Sequence, residues 1–193
     1  MIEVLRTLFL ATVYRPAEAA AMLMGHGVDR ATGWMILGLA VILNTLAYFL
    51  SITLFPIPPG TPVPLPVTPL MVATVLGAVT VIFVFAFYWV GRAIGGRGRF
   101  DDILLMMGWL QYMRLAVQLA SLVLMLFLPG LAKLFVMAAG LYGVWVVINF
   151  LTVAHGFDGP GKAVMMLVLT MMGLTVGLSI LLSVIGVAAV GIR

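Results

Sequence analysis

Residues 67–90 read VTPLMVATVLGAVTVIFVFAFYWV, an uncharged run that decides the class of fold. A helix needs about 20 apolar residues to cross the roughly 30 Å hydrocarbon core of a bilayer, and this run supplies them. Four other stretches have the same character, and together the five predict spans over about 33–55, 67–90, 103–128, 134–154 and 163–190. The sequence therefore predicts a five-helix transmembrane domain over residues 32–193.

The composition of the whole chain also indicates that the protein lies in a lipid bilayer. Apolar residues make up 64% of the 193, against about 45–50% in soluble domains. The strict alternation of polar and apolar residues that marks an outer-membrane strand is absent, and lipid offers an unpaired backbone group no partner. We therefore predict an all-α, polytopic integral membrane protein. Since there is no cysteine, disulfides and thiolate chemistry are excluded.

The basic residues predict the orientation of the chain. One side carries nearly all of them, at Arg6, Arg15, Arg30, Arg92, Arg97, Arg99 and Lys162. The opposite side has only Lys133 and Arg193, and Arg114 lies within the third span. Cytoplasmic loops carry an excess of Lys and Arg, so the N-terminus is predicted to be cytoplasmic and the C-terminus external. The charges are scattered rather than gathered in one stripe, which argues against nucleic acid as a partner.

Residues 1–31 are predicted to form short cytoplasmic helices at the membrane interface. The first is amphipathic, a break follows at Pro16, and a second helix covers about 17–24. The apolar face of the first helix is formed by Ile2, Leu5, Phe9 and Val13. The same helices could instead cap the bundle without binding a partner.

Seven prolines crowd into the segment from Pro56 to Pro69. Proline opposes both helix and sheet, so this segment is predicted to be extended polyproline II. A stiff external loop is the favoured interpretation, and a ligand for a periplasmic protein is the alternative.

The polar residues of the cytoplasmic loops are the first candidates for recognition. They are Arg97, Arg99, Asp101, Asp102, His155 and Lys162. Arg114 joins them because a cation at the bilayer centre costs about 2.5–3.5 kcal/mol even on mild insertion scales. It is interpreted either as a ligand or lipid-headgroup site, or as a side chain that extends to the interface.

A second set of polar residues lies at membrane depth, at Asn44, Gln118 and Asn149. Hydrogen bonds between helices are the favoured interpretation, and a solute path is the alternative. Gly173 and Gly177 have the spacing of close helix contacts, which would suit an intramolecular contact or a homo-oligomer. No nucleophile with a base, no metal-ligand spacing and no pair of intramembrane acids is evident. We therefore predict no catalytic residue, metal or cofactor.

Two loop motifs resemble a known family. The run from Gly95 to Asp102, read GGRGRFDD, precedes a helix through 108–111, and the run 153–157, read VAHGF, opens the loop before the last span. Together with the turn at 14–18, read YRPAE, they resemble the bacterial branch of the Yip domain family (Ypt-interacting proteins). The resemblance implies five spans, a cytoplasmic N-terminus and an external C-terminus. It brings no catalytic residues.

These observations lead to two functional hypotheses. The first is a non-enzymatic scaffold or adaptor in the bacterial inner membrane, whose cytoplasmic loops bind a protein partner or lipid headgroups. Eukaryotic relatives are associated with small GTPases, but this chain lacks the long N-terminal region of many of them. The second is a small channel or lipid or solute transporter, with a polar path near Asn44, Arg114, Gln118 and Asn149. Membrane lipids are expected as partners in either case.

Overall fold

The computed structural model describes residues 2–56 and 68–190, which form seven helices and no strand. The proline-rich segment lies mostly outside these residues, so the polyproline II prediction falls outside the described part of the chain. The helices are α1 Ile2–Tyr14, α2 Pro16–Gly25, α3 Arg30–Leu54, α4 Pro69–Ala93, α5 Phe100–Phe127, α6 Pro129–His155 and α7 Pro160–Val190. Helices α3 to α7 are long and apolar enough to cross a membrane. This confirms the all-α, polytopic class.

Several boundaries of the long helices have a local cause. The Asp29 carboxylate accepts hydrogen bonds from the Thr32 backbone N–H at 3.2 Å and the Thr32 hydroxyl at 2.6 Å, and so caps α3. Those bonds to Thr32 hold the pKa of Asp29 below its usual value. Helices α4, α6 and α7 begin at prolines, which suit the first turn because its N–H groups have no helical partner.

Successive long helices run in opposite directions, and the connections from α4 to α7 are short, so the bundle has two ends. At the His155 end α3, α5 and α7 begin and α4 and α6 finish; we call the opposite end the Lys133 end. The core is concentrated at the His155 end. In α5 the residues 103–108 are all buried, whereas after Gln111 only Leu122 is. Helix α5 is enclosed there because α2, α3, α4 and α6 all pack on it.

The two N-terminal helices form a hairpin that packs along the side of the bundle. Trp109 Nε1 donates a hydrogen bond to Thr12 Oγ1 at 2.9 Å, and the Tyr142 hydroxyl donates to the Val13 carbonyl oxygen. Trp109 is nine residues into α5, so at 1.5 Å per residue the hairpin turn reaches about 13 Å along that helix. The α1–α2 hairpin thus accompanies α5 and α6 into the bundle instead of only covering its end.

The face of α1 that packs is not the apolar stripe expected from the sequence. Leu8 and Thr12 are buried against the bundle, whereas Leu5, Phe9 and Val13 are exposed. An apolar stripe that faces away from the protein fits a lipid surrounding. The placement of these helices at the membrane interface stays a prediction, and the packing against α5 and α6 is what the structure adds.

Candidate functional site

The last residue of α6 occupies a closed space at the His155 end. The His155 side chain is 1% exposed, its Nδ1 lies 3.2 Å from the Leu151 carbonyl oxygen, and its ring stacks on Phe157 at a centroid distance of 5.3 Å. Gly156 ends the helix with φ of 61°, and the N–H groups of Gly156 and Phe157 return to carbonyl oxygens of α6. This turn places Phe157 against the imidazole.

Three glycines surround the His155 ring, and we call them the glycine cradle: Gly91, Gly96 and Gly98. A Cβ added at Gly91 would overlap His155 Nε2. One added at Gly96 would lie 2.7 Å from the Gly91 carbonyl oxygen, and one at Gly98 would lie 2.8 Å from His155 Cδ2. Each distance is shorter than a carbon atom tolerates, so the close approach itself requires glycine. The glycine-rich run therefore serves to seat the imidazole.

The cradle fixes the shape of the basic loop, which we define as residues 95–99. The Arg97 backbone N–H donates to the His155 carbonyl oxygen at 2.9 Å, and the Gly96 N–H donates to the Gly91 carbonyl oxygen at 2.8 Å. Gly95 makes the turn with φ of 90°, a value that L side chains rarely adopt. The side chains of Arg97 and Arg99 are left exposed. The loop is thus tied to α6 through its backbone while its two guanidinium groups face outward.

A second cluster at the same end joins α3 to α5. Arg30 Nε donates to Asp101 Oδ1 at 2.7 Å, and the guanidinium carbon lies 5.0 Å from the centre of the Phe100 ring. Phe100 in turn packs against the aromatic rings of Trp34, Phe85 and Tyr88. The Arg30 side chain is 61% exposed, so solvent screens the ion pair and its contribution to stability is small. The pair joins the start of α3 to the start of α5, directly after the basic loop.

Most of the loop residues selected from the sequence are brought together at this end. Asp102 is partly buried beside Asp101 at the start of α5. Lys162 lies at the same end in α7, where Nζ is 3.5 Å from Asp158 Oδ2 and both side chains are exposed. The sequence marked His155 as a possible contact for a partner, but the structure buries it in the cradle. Recognition by Arg97, Arg99, Asp101, Asp102 and Lys162 stays a prediction.

Arg114 lies fifteen residues into α5 and is exposed. Within residues 2–56 and 68–190 it forms no ion pair. Helical side chains lean toward the N-terminus of their helix, which for α5 is the His155 end. This direction favours extension toward the interface at that end, and the choice between this role and a headgroup site stays a prediction.

A buried polar cluster joins α3, α4 and α5 below the cradle. The Asn44 side-chain amide donates to the carbonyl oxygens of Ala40 at 2.8 Å and Gln111 at 3.0 Å, and Gln111 Nε2 donates to Thr80 Oγ1 at 2.7 Å. Asn44, Gln111 and Thr80 are at most 8% exposed. The cluster supports the expectation that Asn44 holds helices together. Gln111 and Thr80 were not among the polar residues predicted from the sequence at membrane depth. A glutamine inside an apolar span was the signal that could have identified Gln111.

The other intramembrane candidates do not join this cluster. Asn149 donates to the Trp145 carbonyl oxygen of its own helix at 2.8 Å, and Gln118 is partly buried further along α5. A Cβ added at Gly173 or Gly177 would meet open space, so the described helices of one chain make no close contact there. A homo-oligomer at these glycines stays a prediction.

Comparison with known proteins identifies one relationship. A family model described as Yip1 domain matches residues 10–189, nearly the whole chain. No curated protein and no solved structure matches it significantly. The matched range includes the turn of the hairpin, the glycine cradle and all five candidate spans.

Proposed function

The chain belongs to the Yip1 domain family, and from that premise we propose that it is a non-enzymatic membrane scaffold or adaptor. It binds an acidic partner through the His155 end of the bundle. In this proposal that end faces the cytoplasm of a bacterial cell, the protein resides in the inner membrane, and the C-terminus is periplasmic. The support for the orientation is the excess of Lys and Arg at that end.

One observation carries the proposal: the basic loop is held rigidly by a buried histidine while its arginines remain exposed. Rigid presentation lowers the entropy cost of binding, because the loop need not be ordered when the partner arrives. Two backbone hydrogen bonds and three glycine contacts serve that purpose around Gly96 and Arg97. A loop that only connected two helices would not need to be fixed by the glycine cradle.

The charges of this surface indicate the chemistry of the partner. Arg97 and Arg99 are exposed and form no ion pair within the described residues, whereas Asp101 is already paired with Arg30. The guanidinium groups are planar donors that suit carboxylate or phosphate. The partner is therefore an acidic protein segment or an anionic lipid headgroup, which share this chemistry.

The rival function, a channel or transporter, would need its polar side chains on one path. Asn44 bonds to Ala40 and Gln111, and Asn149 bonds within α6. Arg114 and Gln118 form no side-chain hydrogen bond with either of them among the described residues. The arrangement favours hydrogen bonding between helices over a shared path, and we do not propose transport.

The proposal is tested by photocrosslinking in living cells. A photoreactive amino acid is placed at Ala93, an exposed residue at the end of α4 next to the basic loop. We expect a reproducible adduct, and mass spectrometry distinguishes a protein from a phospholipid. Replacing both Arg97 and Arg99 with Gln should lower its yield about tenfold or more, since each basic residue near an anionic surface contributes about 1 kcal/mol.

The matched control carries the same change of charge elsewhere. Arg6→Gln combined with Arg15→Gln removes two exposed cations from the α1–α2 hairpin, and the adduct should persist. The proposal fails if no adduct forms at residue 93, or if both double variants reduce it equally.

A further inference from the structure

A groove opens at the Lys133 end, where α3, α5 and α6 separate. Its volume is about 500 Å³, within the range of small-molecule sites. Its wall is largely apolar, with two hydroxyl groups and one ammonium group, and the residues that line it include Ser51, Ser121, Leu122, Met125, Lys133 and Met137. Because the groove lies between helices that cross the membrane, it is open to lipid.

Lys133 is anomalous at this position for two reasons. Loops on the external side of a membrane are poor in lysine and arginine, and the charge distribution predicts that this end is external. It also lies near the N-terminus of α6, where the helix dipole is positive and disfavours a cation. A nearby anion would offset both effects and stabilise the ammonium group.

The chain itself supplies no acidic side chain at this end. The six acidic residues are Glu3, Glu18, Asp29, Asp101, Asp102 and Asp158. Two lie in the α1–α2 hairpin and four at the His155 end of the bundle. Lys133 forms no ion pair within the described residues. Among the described residues no carboxylate lies near Lys133, so an anion from outside the chain would meet no competing ion pair.

The hydroxyl groups of the groove do not compete for that anion. The Ser51 hydroxyl donates to the Ala47 carbonyl oxygen at 2.8 Å, and the Ser121 hydroxyl donates to the Gln118 carbonyl oxygen at 2.7 Å. Both protons are engaged, so the Lys133 ammonium is the donor left for an anion, while the serine oxygens can still accept hydrogen bonds. The groove thus presents one cation, two acceptors and an apolar wall.

From this combination we propose that the groove is a binding site for an anionic phospholipid of the external leaflet. The phosphate contacts Lys133, an acyl chain lies along Leu122, Met125 and Met137, and headgroup hydroxyls of a phosphatidylglycerol type reach the serine oxygens. A neutral lipid such as phosphatidylcholine satisfies the apolar wall but neutralises Lys133 less well. This site is independent of the function proposed for the His155 end.

The test measures bound lipid on the purified protein. Wild type is exchanged into mild detergent with phosphatidylglycerol or phosphatidylcholine, and the retained lipid is counted by native mass spectrometry. Wild type should favour phosphatidylglycerol about fivefold, the equivalent of about 1 kcal/mol for one basic residue. Lys133→Gln should abolish this preference, and Arg6→Gln, with the same change of charge on α1, should preserve it.

Two further measurements locate the site. Met137→Trp fills the groove and should reduce retention of both lipids, while phosphatidylglycerol with a photoreactive acyl chain should label Leu122, Met125 or Met137 in wild type. The proposal is overturned if Lys133→Gln keeps the preference, if Arg6→Gln removes it equally, or if the labelled residues lie elsewhere. Thermal stability in detergent, equal to wild type, establishes that each variant is folded.

Discussion

The two ends of the bundle are built on different principles. At the His155 end, residues 103–108 of α5 are buried on all sides and three glycines close around one imidazole. At the Lys133 end the same helices diverge, and large side chains such as Phe127, at 75% exposed, face outward. The first end is shaped by contacts within the protein, and the second by contacts with lipid.

The difference shows which contacts hold the helices in one specific arrangement. Lipid tails are as apolar as leucine, so apolar contacts alone do not bring membrane helices together. Close packing, small residues and hydrogen bonds must do so. The cradle and the Arg30 pair lie at the His155 end, and the Asn44 cluster lies near the middle of the bundle. The Lys133 end is consequently free to admit another molecule between its helices.

The largest effect is expected for a large buried side chain at the packed end. Phe150 is fully buried, and Phe150→Ala should lower the free energy of unfolding by about 3 kcal/mol or more, because it leaves a cavity. Phe127→Ala at the Lys133 end should change it by less than about 0.5 kcal/mol. Unfolding titrations in mixed micelles compare the two. Equal losses would remove the distinction between the ends.

The glycine cradle provides the second comparison. Gly91→Ala forces a methyl group into the His155 ring and should cost about 2 kcal/mol, the range of overpacked cores. Gly140→Ala, in α6 where a Cβ meets open space, should be neutral or slightly stabilising. If the clash with His155 is the cause, adding His155→Ala to Gly91→Ala should recover part of the loss in a double-mutant cycle. Strict additivity would contradict the cradle.

Two glutamines of α5 give a smaller contrast. Gln111→Met removes the hydrogen bond to Thr80 and should cost about 0.6 kcal/mol, the average measured between membrane helices, and no more than about 1.7 kcal/mol, the largest value of that series. The Gln118 side chain forms no hydrogen bond among the described residues, so Gln118→Met should leave the stability almost unchanged. Thermal unfolding in one detergent is sufficient for both. A larger loss at residue 118 would mean that the polar cluster extends toward the Lys133 end.

The smallest effect concerns the exposed ion pairs. Arg30→Gln removes the pair with Asp101 and the contact with Phe100, and should lower the unfolding temperature only slightly at low salt. Lys162→Gln breaks a longer pair with Asp158, whose side chain is 95% exposed, and should have no measurable effect. Raising the salt concentration should shrink the difference between the two variants. A loss at Arg30 that is insensitive to salt would assign its role to aromatic packing alone.

The sequence was sufficient for the fold because length and apolarity alone determine which segments span a bilayer. The predicted spans agree with the observed helices within a few residues, as with 134–154 against α6, Pro129–His155. The differences fall at the ends of the helices. Proline is tolerated in the first turn of a helix, so α6 begins at Pro129, before the predicted start of that span. The family resemblance also agreed with the family model over residues 10–189.

The site was only partly accessible from the sequence. The motifs GGRGRF and AHGF could be recognised as unusual, yet their meeting depends on tertiary contacts that bring Gly91, Gly96 and Gly98 to the His155 ring. His155 therefore appeared as an exposed candidate although it is buried. The packing face of α1 could not be predicted for a similar reason: Leu8 and Thr12 fit the bundle, and an apolar solvent removes the cost of exposing Phe9.

Both proposals depend on one orientation, and cysteine labelling measures it directly. The chain has no cysteine, so Arg97→Cys and Lys133→Cys each create a single reactive site. In intact spheroplasts a membrane-impermeant maleimide should label residue 133 and should label residue 97 only after the membrane is permeabilised. The opposite pattern, with residue 97 labelled in intact spheroplasts and residue 133 protected, would contradict the assignment of the His155 end to the cytoplasm.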